Sequence, residues 1–365
     1  MSKITNIEDW FSNKSLSLEE WFLESKNQKF PKDIDYILRY QNIKEVAIVA
    51  QEKIHQGNVE VENTRGGNSP RTLTGHDPKH FKKVIKNASE LVRMGRSKLT
   101  SYEIFFLLSA IQIHDIGNIM GREDHQKTAI DVFYDLMPAN VVLDSVETSI
   151  IHSIAEVHTQ SEGEDKDTIS KLGNYEIGHN DQIVRHQLLA AILKLADELA
   201  DDPERAFMYG VKNNLVKEDS NLFHVYCNCL KSTVIKDRHI SVAYKFEEDN
   251  VHTEYNFGEN LIFLLDYIFI RNIKMHLERV YCQRFLTPEI FVDHIDIEIA
   301  IYTKDYRKKL IEIKYRLIDK GYPQLNGKDF DIKVICADPE NQLKNPNGDW
   351  WDGPSLKNYI DKNAG

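Results

Sequence analysis

Apolar residues recur at helical spacing from the N-terminus to about Arg205, and at alternating spacing in parts of the C-terminal remainder. The pieces Glu8-Asp9-Trp10-Phe11 and Glu19-Glu20-Trp21-Phe22 each follow Ser, Thr or Asn, the residues that cap helices. They predict two short helices docked by their rings. Asp33 to Gln56 predicts a longer helix with Ile37, Val46, Ile48 and Ile54 among its apolar positions. Val59 to Gly75, rich in Gly, Asn, Pro and Arg, reads as a loop. From His76 to about Arg205 nearly every segment keeps the helical period, and no stretch alternates convincingly.

Beyond Asn221 the pattern turns β-rich. Phe223 to Leu230 and Ile240 to Phe246 alternate, Glu259 to about Phe285 is helical, and Phe291 to Tyr302 alternates again. A Lys-rich helix from Asp305 to about Lys320 and a strand from Phe330 to Cys336 complete a predicted ββαβαβ order. The expected fold is mainly α: an all-helical domain followed by a smaller α+β domain whose sheet is covered by helices on one face. The expected boundaries are 1–69 for an N-terminal helical extension, 70–215 for the helical domain, 216–337 for the α+β domain and 338–365 for a polar, partly irregular tail.

With 41% hydrophobic and 28% charged residues, the chain can bury a core and is not of disordered composition. No apolar run approaches the roughly 18–20 residues that a membrane span needs, and MSKITNIEDW lacks the apolar block of a secretory signal. The expectation is a cytoplasmic protein without a membrane partner. The four cysteines, Cys227, Cys229, Cys282 and Cys336, are too few and scattered for a disulfide scaffold in a chain this long. Cys227-Asn228-Cys229 lies in strand-like sequence, where same-face thiols pack more often than they bind metal. A net charge of −11 argues against a surface that grips nucleic acid throughout. Lys79 to Lys98 is nonetheless a basic stretch, with Glu90 its single acid, and its bland explanation is a solvated helix face.

The run Phe105 to Ile113 is apolar enough for a buried helix, yet it ends in His114-Asp115. Burying both groups uncompensated is expensive, and a metal cation resolves the cost by pairing with the carboxylate and taking the imidazole lone pair. Gly117 reads as the helix terminator. Other candidates fall on apolar helix faces: His80 shares a stripe with Val84, Ala88 and Leu91, and Asp197 follows Leu193 by four and Leu189 by eight. His125 opens a helix whose inner face is Ala129, Val132, Phe133 and Leu136. In the predicted helix Glu147 to His158, His158 continues the stripe Ile150, Ile151, Ile154, whereas His152 shares its face with Thr148, Ser149, Ala155 and Glu156, so His158 is preferred. A histidine considered alone is more often a hydrogen-bonded core or surface residue; several inward-facing ones together point to a site.

The order His80, then His114-Asp115-Ile116-Gly117, then Asp197 in Leu-Ala-Asp-Glu-Leu resembles the HD superfamily of metal-dependent phosphohydrolases, over about residues 70 to 210. The resemblance implies that His80, His114, Asp115 and Asp197 bind one divalent ion. It further implies that His125 and His158, with Asp115 shared, hold a second in dinuclear members. Thr74-Gly75-His76-Asp77-Pro78-Lys79-His80, with Arg185 to Arg205 and the α+β half, is similar to the HD proteins of bacterial conflict and antiphage systems. Asn118 stands where the HD-GYP cyclic-dinucleotide phosphodiesterases usually have Lys, and Gly321-Tyr322-Pro323 lies too far downstream to be their Gly-Tyr-Pro.

The expected chemistry is hydrolysis by a metal-activated water, with Asp115 and, if one ion binds, His125 as catalytic groups. One or two divalent ions are expected, Mn, Fe, Ni, Zn or Co suiting these ligands better than Mg. Candidate phosphate contacts are Arg65, Arg71, Lys83 and Arg205, and a compact site in an acidic protein favours a nucleotide or cyclic nucleotide. Two rival readings are a nuclease for single-stranded nucleic acid and a non-catalytic, metal-stabilised sensor. Possible protein partners are a second copy of the chain or a defence-system protein.

Overall fold

The computed structural model describes residues 7–13, 15–25, 28–60, 78–95, 98–120, 125–138, 144–159, 167–177, 179–320 and 331–363. They divide into two compact units. The first draws on Met1–Asn68, His76–Ala200 and Cys282–Phe291, and the second on Asp201–Tyr281 and Val292–Gly365. The predicted loop before Pro78 lies outside the described residues except for Val59 and Glu60, which end a helix.

The first unit is helical. Helices α1 (Ile7–Ser12) and α2 (Leu18–Glu24) are the two aromatic pieces, and Trp10, Trp21 and Phe22 are buried. Ser17 and Glu20 close a capping box on α2. Arg93 lies 4.3 Å from the Trp10 ring centroid and donates to Leu16 O at 2.7 Å, so a cation of the basic stretch is spent anchoring this arm. Helix α3 (Tyr36–Glu60) buries the stripe Tyr36, Tyr40, Ile43, Ala47, Ala50. Of its four predicted apolar positions Val46 is buried, and Ile37 and Ile48 are half-buried. Helices α4 (Pro78–Gly95), α5 (Ser101–Ile113), α6 (His125–Leu136) and α7 (Ser145–Glu156) follow. After a two-residue hairpin, β1 (Glu176–Ile177) with β2 (Ile183–Val184), comes α8 (His186–Glu198). Every residue of α5 from Tyr102 to Ile113 is buried, which marks it as the central helix around which the others pack.

Two buried carboxylates tie the arm to α3 and α3 to the rest of the bundle. Glu19 takes the Tyr40 hydroxyl and Lys44, and Glu147 takes Tyr36, Tyr102 and Arg39. Burial and the Glu147 carboxylate hold both the Tyr36 and Tyr102 hydroxyls far above their ordinary range, so each stays a donor.

The second unit is α+β. It opens with α9 (Met208–Lys212) and α10 (Glu218–Cys229), and its main sheet has the order β3 (Leu230–Lys236), β4 (His239–Glu247), β7 (His294–Tyr302), β8 (Lys309–Ile318). Between β4 and β7 come a four-residue helix α11 (Asp249–His252), the hairpin β5 (Glu254–Phe257) with β6 (Asn260–Phe263), and α12 (Leu264–Leu286). The outer pairs are antiparallel and β4 with β7 is parallel, a pairing that needs a long crossover, supplied by α12. One face of the sheet, with Ile240, Val242, Tyr244 and Phe246 on β4 and Ile295, Ile297, Ile299 and Ile301 on β7, is buried. Asn272 of α12 is fully buried there, accepting from Tyr244 at 2.7 Å and donating to Tyr315 at 2.7 Å.

Three predicted elements are corrected. Phe223 to Leu230, expected as a strand, belongs to helix α10 up to Cys229. The sequence satisfies both periods, and the stripe Leu222, Val225, Tyr226, Cys229 with Glu218 and Asp219 in the first turn settles it as helix. Cys227 and Cys229 therefore sit on a helix; all four cysteines are buried and none is joined in a disulfide. The expected Lys-rich helix Asp305 to Lys320 is a hairpin turn and strand β8, because Ile313, Tyr315 and Leu317 alternate inward and pair with β7. Within the expected strand Phe330 to Cys336, Ile332–Ile335 is a short helix α13 capped by Asp331; only Cys336 keeps a strand-like bridge, to Leu317, and Phe330 lies outside the described residues. The tail is more regular than expected. It holds α14 (Pro339–Gln342) and α15 (Gly353–Asn363), with Trp351, Leu356 and Ile360 buried. Among the described residues no single helix is long and apolar enough to cross a membrane.

The Asn272 clamp yields a prediction. Asn272→Ala leaves two buried tyrosine hydroxyls without their partner, and should lower stability by about 2–4 kcal/mol, less in the Tyr244→Phe/Tyr315→Phe background. Denaturant midpoints check this; equal losses in both backgrounds would contradict it.

Candidate metal centre

The site is built where the central helix stops. His114 continues α5 by one residue, its N–H donating to Ala110 O at 3.0 Å, and Asp115 precedes a 3-10 turn, Ile116–Met120. Gly117 is not a left-handed helix terminator. A Cβ there would stand 1.8 Å from the His125 carbonyl oxygen, so glycine is required because the start of α6 is packed directly on this turn. That packing brings His125 to Asp115.

His80 reaches the same point from the buried face of α4, and Asp197 from the end of α8, where Asn87 of α4 donates to Ala196 O at 3.0 Å. His158 does not lie within α7, which ends at Glu156, but in the turn just after it. His152 is half-buried on α7 and is not part of the cluster, standing 3.9 Å from Glu156.

The six side chains form two lobes that share one carboxylate. Asp115 Oδ2 stands 3.4 Å from His114 Nε2 and 3.7 Å from His80 Nε2, and Asp197 Oδ1 lies 3.2 Å from His80 Nε2 and 3.6 Å from His114 Nε2. On the other side Asp115 Oδ1 stands 3.2 Å from His125 Nε2 and 3.3 Å from His158 Nε2. Within each lobe the candidate ligand atoms lie within 4.8 Å of one another. Ligands about 2.1 Å from a shared ion stand roughly 3–4 Å apart, so a small closure suffices.

The tautomers favour coordination. His114 Nδ1 is 2.8 Å from Ile111 O and His158 Nδ1 is 2.5 Å from Ala155 O; a carbonyl can only accept, so Nδ1 carries the proton in both rings. Their Nε2 atoms are buried and make no hydrogen bond. An orphaned, buried imidazole lone pair facing a carboxylate is the arrangement that a metal ion completes, with the Nδ1–H bond fixing the ring from behind. Asn118 steadies Asp115 in turn, donating to Oδ1 at 3.1 Å and to the main-chain oxygen at 3.0 Å.

The electrostatics agree with this geometry. Burial disfavours a charged imidazole at His114, yet Asp115 and Asp197 outweigh it and push its pKa up to about 9. Burial would raise Asp197, but His114 and His80 hold it well below the usual carboxylate range. Burial lowers His158. Two carboxylates facing four imidazoles demand positive charge, which a proton on His114 can supply and which a divalent cation supplies better.

A third His/carboxylate group, Asp144, Glu147 and His179, differs in kind. Its acids are already matched by Lys32 on Asp144 at 2.6 Å and by Arg39, Tyr36 and Tyr102 on Glu147. It is a structural knot between α3 and α7.

The predicted phosphate contacts fare unevenly. Arg65 and Arg71 lie outside the described residues. Lys83 is half-buried on α4, one turn past His80. Arg205 belongs to the second unit, ion-paired with Asp201 at 2.5 Å, a carboxylate that also takes Arg271 at 2.9 Å. Sequence reasoning did not single out Asn87 or Lys194, because their partners are main-chain carbonyls distant in sequence, and it marked Asn118 only as a departure from a motif.

Gly117→Ala should force the 3-10 turn and α6 apart, lowering stability by about 1–3 kcal/mol and weakening retention of divalent metal. Thermal unfolding and metal content measure both; wild-type values for each would contradict the close packing of α6 on this turn.

The sequence profile of the HD-CE family matches residues 70–272, more than half of the chain, and takes in all six clustered side chains. No curated protein matches the chain, and no solved structure does. The arrangement around His114 and Asp115 and the extent of that match agree: the chain belongs to the HD-CE family.

Proposed function

We propose that the protein is a metal-dependent phosphohydrolase or phosphodiesterase acting on a nucleotide or cyclic nucleotide, with His80, His114, Asp115 and Asp197 holding one divalent ion and Asp115, His125 and His158 a second. HD-CE membership and the His/Asp cluster fit a metal-dependent hydrolase. The observation that carries the finer reading is the shared carboxylate, with one oxygen of Asp115 turned to each lobe. A divalent ion held there supplies a hydroxide nucleophile near neutral pH and neutralises charge on phosphoryl oxygens.

The chain's own residues do the rest. Asp115, steadied by Asn118, sets the spacing of the two lobes. His114 and His158 present lone pairs from rings fixed by main-chain carbonyls. His125, at the rim with 11% of its side chain exposed, can also exchange a proton with substrate if its lobe holds no ion. Mixed imidazole and carboxylate donors suit Mn, Fe, Ni, Zn or Co better than Mg.

The substrate reading rests on the acidity of the chain and on where the basic helix points. Lys82 and Lys86 are exposed on the face of α4 opposite the buried His80, and Arg93 is buried and engaged with the N-terminal arm. That weighs against a cationic track leading a nucleic-acid strand to the centre, and leaves a compact phosphorylated ligand in front.

Metal analysis of the purified chain, then a screen of nucleotides, cyclic nucleotides and short oligonucleotides with product identification, tests the proposal. His114→Ala and Asp197→Ala should lose bound metal and at least about a hundredfold in turnover while keeping wild-type helicity. A metal-free mutant with undiminished turnover would sink it. Cleavage confined to oligonucleotides, with steep salt dependence, would replace it with the nuclease reading.

A further inference from the structure

Lys194 lies on α8 one turn before Asp197 and is 3% exposed, so its ammonium is held inside the helical unit. Lysine ordinarily keeps that group in water, and burying it demands partners. One partner is on the site: Lys194 Nζ donates to the main-chain carbonyl of His158 at 2.8 Å.

His158 stands just past the end of α7, where helix carbonyls lose their in-helix donors. Three carbonyls of this turn are taken. Ala155 O receives His158 Nδ1 at 2.5 Å, Val157 O receives the Thr168 hydroxyl at 2.9 Å, and His158 O receives Lys194. The first bond sets the plane of the imidazole, and the other two fix the backbone it hangs from. Nε2 then stands 3.3 Å from Asp115 Oδ1. An ammonium at a helix C-terminus also offsets the partial negative charge there.

We propose that Lys194 is a positioning residue of the metal centre, locking the His158 turn so that His125 and His158 can hold an ion on their side of Asp115; this rests on the metal-centre reading above. The ammonium is no ligand itself. Its effect is confined to the lobe whose backbone it holds, and the lobe of His80, His114 and Asp197 is expected to bind without it.

The test is titration of the metal-free full-length chain with Co²⁺ alone, followed by calorimetry and by visible absorption, which reports ligand geometry separately from activity. The wild type should take up two equivalents. Lys194→Met should keep the first within about threefold and weaken the second at least about tenfold, in line with losses of supporting contacts to metal ligands. Lys194→Gln, which keeps a donor without the charge, should recover part of the loss; it carries the same readout if the methionine variant does not fold by circular dichroism. Two equivalents bound with wild-type affinity by both variants would overturn this inference and leave the metal centre standing. Equal weakening of both equivalents would also overturn it, marking a general packing role. A wild-type chain that binds no Co²⁺ would overturn the metal-centre reading and this inference together.

Discussion

The helical unit is organised around a charge that has to be balanced out of contact with water. Asp115 is 6% exposed, and four imidazoles and a second carboxylate stand around it at the end of a helix buried on every side. A lone carboxylate there would cost several kcal/mol or stay protonated. The surrounding helices are placed so that it does neither: α4 brings His80, α8 brings Asp197, and the 3-10 turn and α6 bring His125. Two carboxylates facing four imidazoles make a cluster compatible with divalent cations.

Much of the remaining architecture serves that point. The capping box at Thr100 and Glu103 sets the start of α5, the helix whose far end carries His114. The N-terminal arm and α3 pack on the bundle through buried glutamates matched by tyrosines, Arg39 and Lys44. Gly117 permits the close approach of α6 that no side chain would allow. The second unit obeys a separate logic, an inward-alternating sheet closed by the crossover helix α12 and pinned at Asn272.

Part of the cluster was legible from helix faces, whereas Asp115 and His158 sit in turns just past the ends of α5 and α7. His80 follows its stripe, Asp197 follows Leu189 and Leu193, and choosing His158 over His152 needed only the spacing from Ile150 to Ile154. The corrected elements failed for one physical reason. Segments such as Phe223 to Leu230 and Leu310 to Ile318 fit both the helical and the alternating period, and only tertiary partners decide between them: β7 for β8, and the packing of Leu222, Val225 and Tyr226 for α10. The supporting contacts were illegible for a related reason. Nothing local to Lys194, Asn87 or Gly117 announces His158 O, Ala196 O or His125 O.

The claim that Asp115 is shared between two cation sites is tested most directly by anomalous diffraction from crystals grown with Mn²⁺. Two peaks are expected flanking the Asp115 carboxylate about 3.5–4 Å apart, the separation typical of paired-metal hydrolases, one beside His80, His114 and Asp197 and the other beside His125 and His158. An ion found only at Asp144, Glu147 and His179, or no peak within reach of Asp115 at saturating Mn²⁺, would contradict it.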